Sequence, residues 1–123
     1  MKDPYFLLYF CLYVRPIYNL LDNIMPIKVV IKKSPKPDKK LVAIFYKHVG
    51  GKKIRTTHFG SAGMDDFTKT RDLAQKKRYL DRHRRRENWQ DYMSAGALSR
   101  WILWDKPTRS ESIRAYKKRF NLV

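Results

Sequence analysis

Hydrophobic and polar positions follow a strand-like pattern in the first half of the chain. Residues 27–33, 41–48 and 53–59 are short runs rich in β-branched and aromatic side chains, which is typical of strands. Gly50 and Gly51 separate the last two runs, and a short loop that contains glycine is a common hairpin connection. The pattern therefore predicts a small antiparallel sheet of two or three strands.

A different spacing begins after the glycines at positions 60 and 63. Residues 71–89 contain neither proline nor glycine, so no residue type interrupts a helix there. Leu73 and Leu80 lie seven positions apart, and Tyr79 and His83 lie on a neighbouring face. This spacing predicts one long helix with a narrow apolar stripe.

Helix starts are marked by side chains that can accept hydrogen bonds from free backbone N–H groups. Thr70 or Asp72 would cap the helix over residues 71–89, and Ser94 would cap a shorter helix. Thr108 and Glu111 have the spacing of a capping box, which predicts a last helix.

The two later helices have apolar faces on which side chains recur every three or four residues. These faces consist of Leu98, Trp101 and Ile102 in the first helix and Ile113, Tyr116 and Phe120 in the last. We expect the aromatic side chains of this half to pack in the core and not to stack on bases. Strands followed by about three helices predict an α+β fold.

Charge divides the chain into two parts. The net charge is +17, from 28 Lys and Arg against 11 Asp and Glu. Residues 1–24 hold two basic and two acidic residues, so the whole excess lies in residues 25–123. We predict an apolar extension or anchor over 1–24 and a single basic α+β domain over 25–123. Such an excess indicates a polyanionic partner: nucleic acid, an anionic membrane or an acidic protein surface.

The apolar run at residues 5–14 is too short to span a bilayer, which needs roughly 20 residues. Asp3 and Pro4 are poor flanks for a signal peptide, and no small-residue cleavage site follows. Three interpretations remain open. The run is a buried strand or helix, an anchor for a membrane surface or partner, or an extension upstream of a start at Met25.

The densest positive charge lies within the predicted long helix. We predict that its basic side chains bind an anionic partner through phosphate or carboxylate groups, which suit bidentate arginine contacts. These residues are Lys76, Lys77, Arg78, Arg82, Arg84, Arg85 and Arg86.

Residues for reaction chemistry are sparse. Cys11 stands alone within an apolar run, which favours an inert buried thiol. His48, His58 and His83 have no second ligand at the short spacing of a zinc site. The acids are scattered, whereas a metal-dependent nuclease gathers several around its metal. We therefore expect no enzyme activity, no metal or other cofactor and no small-molecule substrate.

Several unusual runs occur in a fixed order along the chain. They are residues 58–68, 77–83 with Asn88 and Trp89, 94–104 with 106–108, and 112–114 with 116–120. Together they resemble a family of small basic proteins of large nucleocytoplasmic DNA viruses. The resemblance covers roughly residues 40–122.

The resemblance implies a viral protein that is packaged in the virion, after synthesis in the host cytoplasm or virus factory. Icosahedral viruses of this group, the chlorella viruses among them, line the inner face of their shell with minor capsid proteins. The implied role is a minor capsid protein that cements capsomers through its basic helix. Its partners would be the major capsid protein and other minor capsid proteins, with viral DNA or an internal membrane as further anionic surfaces. The alternative is a nucleic-acid-binding protein for genome packaging or condensation.

Overall fold

A computed structural model describes residues 26–123 of the chain. They begin with an antiparallel sheet of three strands in the order β1-β2-β3. The strands are β1 (Lys28–Lys33), β2 (Lys39–Tyr46) and β3 (Lys53–Ser61). The register places Val29 opposite Phe45 and Leu41 opposite Phe59, so one face of the sheet collects apolar side chains. The predicted hairpin and the α+β fold class are confirmed.

Helices follow the sheet. They are α1 (Phe67–Thr70), α2 (Leu73–His83), α3 (Ala95–Leu98) and α4 (Arg109–Arg119), and α3 runs directly into a π-helical turn at Ser99–Leu103. Asp72, Ser94 and Thr108 accept backbone hydrogen bonds at the starts of α2, α3 and α4, as their sequence positions predict. Within residues 26–123, no helix is both long and apolar enough to cross a membrane.

The core lies between one face of the sheet and the later helices. Phe45 and Phe59 from the sheet are buried in it, as are Leu98 and Ile102 from α3 and its π-helical turn. Tyr116 of α4 is 1% exposed, and its hydroxyl donates to the Tyr92 carbonyl at 2.6 Å. Trp101 is also buried, whereas Ile113 packs against the core but remains half-buried. The aromatic residues of this half pack in or against the core, as expected.

The long basic helix is shorter than its sequence predicts. It ends at His83, and Arg84–Arg86 form a turn instead of further helix. The Glu87 carboxylate accounts for this, because it lies 2.9 Å from His83 Nδ1 and accepts a hydrogen bond from Trp89 Nε1 at 3.0 Å. The chain after His83 therefore folds back so that Glu87 contacts His83, and the helix does not continue to Trp89.

The predicted apolar stripe of this helix is also wrong in part. Leu73 is 71% exposed, whereas Tyr79 is buried. The Tyr79 ring lies flat against the Trp104 ring, with centroids 4.3 Å apart and planes 7° apart. Contact with an aromatic residue distant in sequence therefore decides which face of the helix points inward.

Residue 123 closes the described domain at the edge of β1. The Val29 N–H donates to the Val123 carbonyl at 2.8 Å, and the Val123 N–H donates to the Ile27 carbonyl at 3.0 Å. The first and last described residues are thus neighbours. The predicted extension or anchor at residues 1–24, with its apolar run and Cys11, lies outside the described residues.

Candidate anion-binding surface

A stack of three rings holds α2 in place. Tyr79 lies between Trp104 and His83, and its centroid is 4.1 Å from that of His83. Burial is the main reason why the pKa of the Tyr79 hydroxyl is raised far above its usual value. At the start of α2 the Asp72 carboxylate accepts hydrogen bonds from the N–H groups of Ala74 and Gln75. Both ends of the helix are therefore fixed, and its other side chains have defined directions.

Two of the seven predicted site residues are engaged within the fold. Lys76 Nζ donates to the Asp105 carbonyl at 2.6 Å and lies 4.8 Å from the centre of the Phe67 ring. Partial burial lowers the pKa of Lys76. Lys77 forms an exposed pair with Asp81 at 3.0 Å, and this hydrogen bond lowers the pKa of Asp81. Lys76 is structural, and the charge of Lys77 is balanced locally.

The five remaining predicted residues are exposed arginines. No carboxylate lies within 4.0 Å of their guanidinium groups in the part of the chain that the structure describes. They are Arg78 and Arg82 on α2 and Arg84, Arg85 and Arg86 in the turn after it. These side chains are free to contact an anion that approaches from solvent.

Three hollows meet at Arg82, which lines all of them. One of about 320 Å³ lies between Lys39 at the end of the sheet, Tyr79 and Trp104. A second, of about 380 Å³, includes Gly63, Met64, Arg78 and Trp104. The third, of about 510 Å³, includes Arg85 and Arg86. We call this continuous surface the arginine groove.

Asp66 is an acid in the groove wall, and it is neutralised from within. The carboxylate is 2.6 Å from Lys40 Nζ and 3.9 Å from an Arg109 nitrogen. Burial raises the pKa of Asp66, but the hydrogen bonds from Lys40 and Thr68 outweigh it, and the resulting pKa is below its usual range. Asp66 is therefore a charged cap for α1 and adds no free negative charge to the groove.

The other acids of the groove also have partners. Asp65 lies 3.5 Å from Lys69, Asp81 pairs with Lys77, and Glu87 binds His83 and Trp89. Lys39, in contrast, has no carboxylate within 4.0 Å among the described residues. Glu87 differs from the other two acids, because Trp89 carries no charge and His83 is a cation only when protonated. Lys39 and the four arginines that line the groove outnumber Glu87, so the net unpaired charge of the groove is positive.

The loop at residues 60–63 borders the groove but does not form an anion-binding nest. Gly60 and Gly63 both have positive φ, at 78° and 82°. The Ala62 N–H, however, donates to the Asp38 carbonyl at 3.0 Å, and the Met64 N–H donates to the Ser61 carbonyl. Amides that a nest would use are thus occupied. The loop is therefore a connector between β3 and α1.

Sequence reasoning missed the groove residues outside α2. Lys39 reaches the groove because the register pairs it with Ser61, and Trp104 because it stacks on Tyr79. The hairpin signal could have paired β2 with β3, but no signal in the sequence indicates that Tyr79 meets Trp104. Within residues 26–123, no three His, Cys, Asp or Glu side chains are grouped to hold a metal ion.

Comparison with known proteins gives one match. Residues 29–83 match the model of a family of unknown function, DUF5754. The matched stretch runs from β1 to the end of α2, so it includes Lys39, Arg78 and Arg82 but ends before the three arginines of the turn. No curated protein and no solved structure matches the chain.

Proposed function

We propose that this protein is a virion structural protein, namely a minor capsid protein that cements capsomers on the inner side of an icosahedral shell. The arginine groove would bind acidic surfaces of the major capsid protein and of other minor capsid proteins. The virion context comes from the sequence resemblance over residues 40–122. The groove supplies the physical means of attachment.

The observation that carries the proposal is the set of five exposed arginines that have no carboxylate partner among residues 26–123. Four of them, Arg78, Arg82, Arg85 and Arg86, line the arginine groove. Unbalanced guanidinium groups repel one another, which opposes folding unless a partner supplies negative charge. Arginine also presents a planar fork of donors that matches a carboxylate in two hydrogen bonds. Such a surface is suited to bind a fixed acidic partner with a defined orientation.

The rings beside the groove favour a protein partner over exposed bases. Proteins that bind single strands present free aromatic faces on which bases stack. Here Tyr79 has His83 on one face and Trp104 on the other, and Trp104 is only 8% exposed. The rings of Tyr79 and Trp104 therefore stabilise the fold and are not available as a stacking platform.

A second candidate is a nucleic-acid-binding protein for genome packaging or condensation. The observation that favours it is that exposed positive charge also lies far from the groove. Lys32 and Lys33 are exposed on β1, and Lys52 and Lys53 are exposed where the loop from β2 enters β3. Charge spread over several faces is suited to the phosphates of a duplex, which carry no sequence information.

The two candidates are separated by two variants with the same loss of charge. The groove variant replaces Arg82, Arg84, Arg85 and Arg86 with Gln. The control variant replaces Lys32, Lys33, Lys52 and Lys53 with Gln. For a capsid protein, we expect the groove variant to fold but to be absent from purified particles, whereas the control variant is incorporated. Quantitative mass spectrometry of particles measures this.

If nucleic acid is the main partner, the two variants should affect duplex binding alike. The logarithm of the binding constant would then fall with the logarithm of salt by about 0.9 for each phosphate that is neutralised. Both variants would flatten this slope. Binding that stays strong at about 150 mM salt, where the Debye length is about 8 Å, would support the second candidate. Particles that lack the protein, or that lose it together with the genome when emptied, would contradict the capsid role.

A further inference from the structure

The arginine groove has a spacing that selects among acidic partners. Arg78 and Arg82 are four residues apart on α2, so they lie on one face and are separated by about 6 Å along the helix axis. In an extended chain, side chains two residues apart lie on the same face and are about 6.6 Å apart. The two spacings match.

We propose that the groove binds an extended acidic segment of a partner protein, with carboxylates at alternate positions that pair with Arg78 and Arg82. This inference rests on the proposed function, because it specifies the chemistry of the protein partner. Each guanidinium group can donate hydrogen bonds to both oxygens of one carboxylate. Lys39 lines the neighbouring hollow that shares Arg82, and it would contact a segment that extends into that hollow.

The shape of the groove suits a single extended chain. Gly63 has open space where a Cβ would lie, and Met64 is 63% exposed beside it. The loop therefore does not crowd the hollow at Gly63, and Met64 offers an apolar surface to the segment. Trp104 lines the same hollow. A hollow of about 380 Å³ holds a few residues of a peptide, which is within the usual size range of ligand sites.

A duplex does not suit the same position. Its width keeps it out of the hollow between Met64 and α2, so its phosphates would meet only the protruding arginines of the turn. A single strand could enter, but both faces of the Tyr79 ring are covered, by Trp104 and by His83, and Trp104 is only 8% exposed. Charge and shape together therefore favour a peptide segment in the groove.

A second copy of this chain does not supply the required pattern. Nowhere in the sequence do two acidic residues stand two positions apart. Asp65 and Asp66 are adjacent, and each already has a lysine partner within the fold. The acidic segment must therefore come from a different protein.

The test compares two peptides of the same composition with the full-length protein. One alternates Glu and Ala, and the other carries the same residues in Glu-Glu-Ala-Ala blocks. We expect the alternating peptide to bind several-fold more tightly than the block peptide at about 150 mM salt, where long-range attraction is screened. Backbone amide shifts in NMR spectra should change at residues 60–64 and 78–86 and remain unchanged around Lys52.

Variants complete the test. Arg78→Gln with Arg82→Gln should weaken binding of the alternating peptide about tenfold and remove its advantage over the block peptide. Lys52→Gln with Lys53→Gln removes the same charge at the start of β3, away from the groove. This variant should still bind the alternating peptide more tightly than the block peptide. A Gln-Ala peptide should not bind.

The proposal is overturned if both acidic peptides bind equally, or if amide shifts spread over all exposed lysines. It is also overturned if a short duplex shifts residues 60–64 and 78–86 and displaces the alternating peptide. These results leave the capsid role standing if the groove variant is still excluded from particles. If that variant enters particles normally, the proposed function fails by a separate measurement.

Discussion

At the scale of single residues, Asp66 joins three elements. Its carboxylate caps α1, lies 2.6 Å from Lys40 of β2 and is within 3.9 Å of Arg109 of α4. Asp66 is 1% exposed. A charged group in such a position is stable only while its partners remain, because a buried charge without a partner is strongly destabilising. Asp66 therefore links stability to pH.

We expect acid to remove the stabilisation that Asp66 provides. Its pKa in the folded protein lies below that of an exposed Asp, about 3.9. The stabilisation is complete above this unfolded-state value and is lost as pH falls through the folded-state pKa. Asp66→Asn keeps a capping side chain but removes the charge. Its free energy of unfolding in urea should therefore depend less on pH below about pH 4 than that of the wild type. Equal pH dependence in both proteins would contradict this.

Trp101 joins the π-helical turn to the rest of the core. Its Nε1 donates to the Trp89 carbonyl at 2.9 Å, and the Arg119 guanidinium lies 3.7 Å from the ring centre. Trp101→Ala should cost about 3–5 kcal/mol of unfolding free energy, measured by chemical denaturation. Trp101→Phe, which keeps a ring but loses the hydrogen bond, should cost less. A loss below about 1 kcal/mol for the alanine variant would mean that the ring is not a core element.

At the scale of elements, α2 depends on what happens at its two ends. The Asp72 carboxylate accepts two backbone hydrogen bonds at the start, and the stack of Tyr79 and His83 holds the last turns. Leu73, which follows the cap, contributes little because it is exposed. The helix is thus secured by its cap and by aromatic contacts rather than by an apolar stripe.

We expect Asp72→Ala to destabilise the protein by about 1 kcal/mol, the usual effect of losing an N-cap. Leu73→Ala is the neighbouring control and should change the free energy of unfolding by less than about 0.5 kcal/mol, as surface substitutions usually do. Thermal and urea unfolding of both variants measure the difference. A larger loss of unfolding free energy for Leu73→Ala would mean that Leu73 belongs to a packed apolar stripe, as the sequence predicts.

Sequence predicts the features of this fold that depend on neighbouring residues and misses those that depend on contacts between more distant residues. Alternation along the strands and the caps at Ser94 and Thr108 are local signals, and each matches the structure. The end of α2 is not local, because Glu87 bonds back to His83. The π-helical turn was missed for a similar reason. There the Trp104 N–H reaches the Ser99 carbonyl, five residues back, and the sequence contains no residue that requires this.

The candidate surface was likewise predicted only in part. Charge density along the chain identified all seven basic residues, of which five are exposed without carboxylate partners in the described region and two are engaged. Lys76 donates a hydrogen bond to the carbonyl of Asp105, which is 29 residues away in sequence. Counting charges along the chain cannot reveal such a contact. Lys39 was missed because its position depends on strand register and not on its neighbours in sequence.

At the scale of the whole molecule, positive charge opposes the compact state. A net charge of +17 on 123 residues produces repulsion that salt reduces. The five exposed arginines contribute to it because they are close together on α2 and in the turn after it. The charge that the proposed binding requires therefore opposes stability.

We expect the melting temperature to rise when salt increases from about 10 to 150 mM, as the Debye length shortens from about 30 to 8 Å. Replacing Arg82, Arg84, Arg85 and Arg86 with Gln should raise the melting temperature at low salt and make it less dependent on salt. Differential scanning calorimetry measures both effects. A variant that melts below the wild type at low salt would show that these arginines stabilise the fold.

The pairing of Val123 with the edge of β1 places Ile27 and Val123 at one end of the sheet and the arginine groove at the other. Ile27 lies beside the end of the sheet where Lys28 pairs with Tyr46, whereas Lys39 and the groove lie at the other end of β2. Along the sheet, the eight residues of β2 separate them by roughly 25 Å. A load or label attached after Val123 therefore starts far from the groove, so the domain would act as a spacer between that load and the acidic partner proposed above. A fluorescent protein fused after Val123 should accordingly leave peptide binding unchanged.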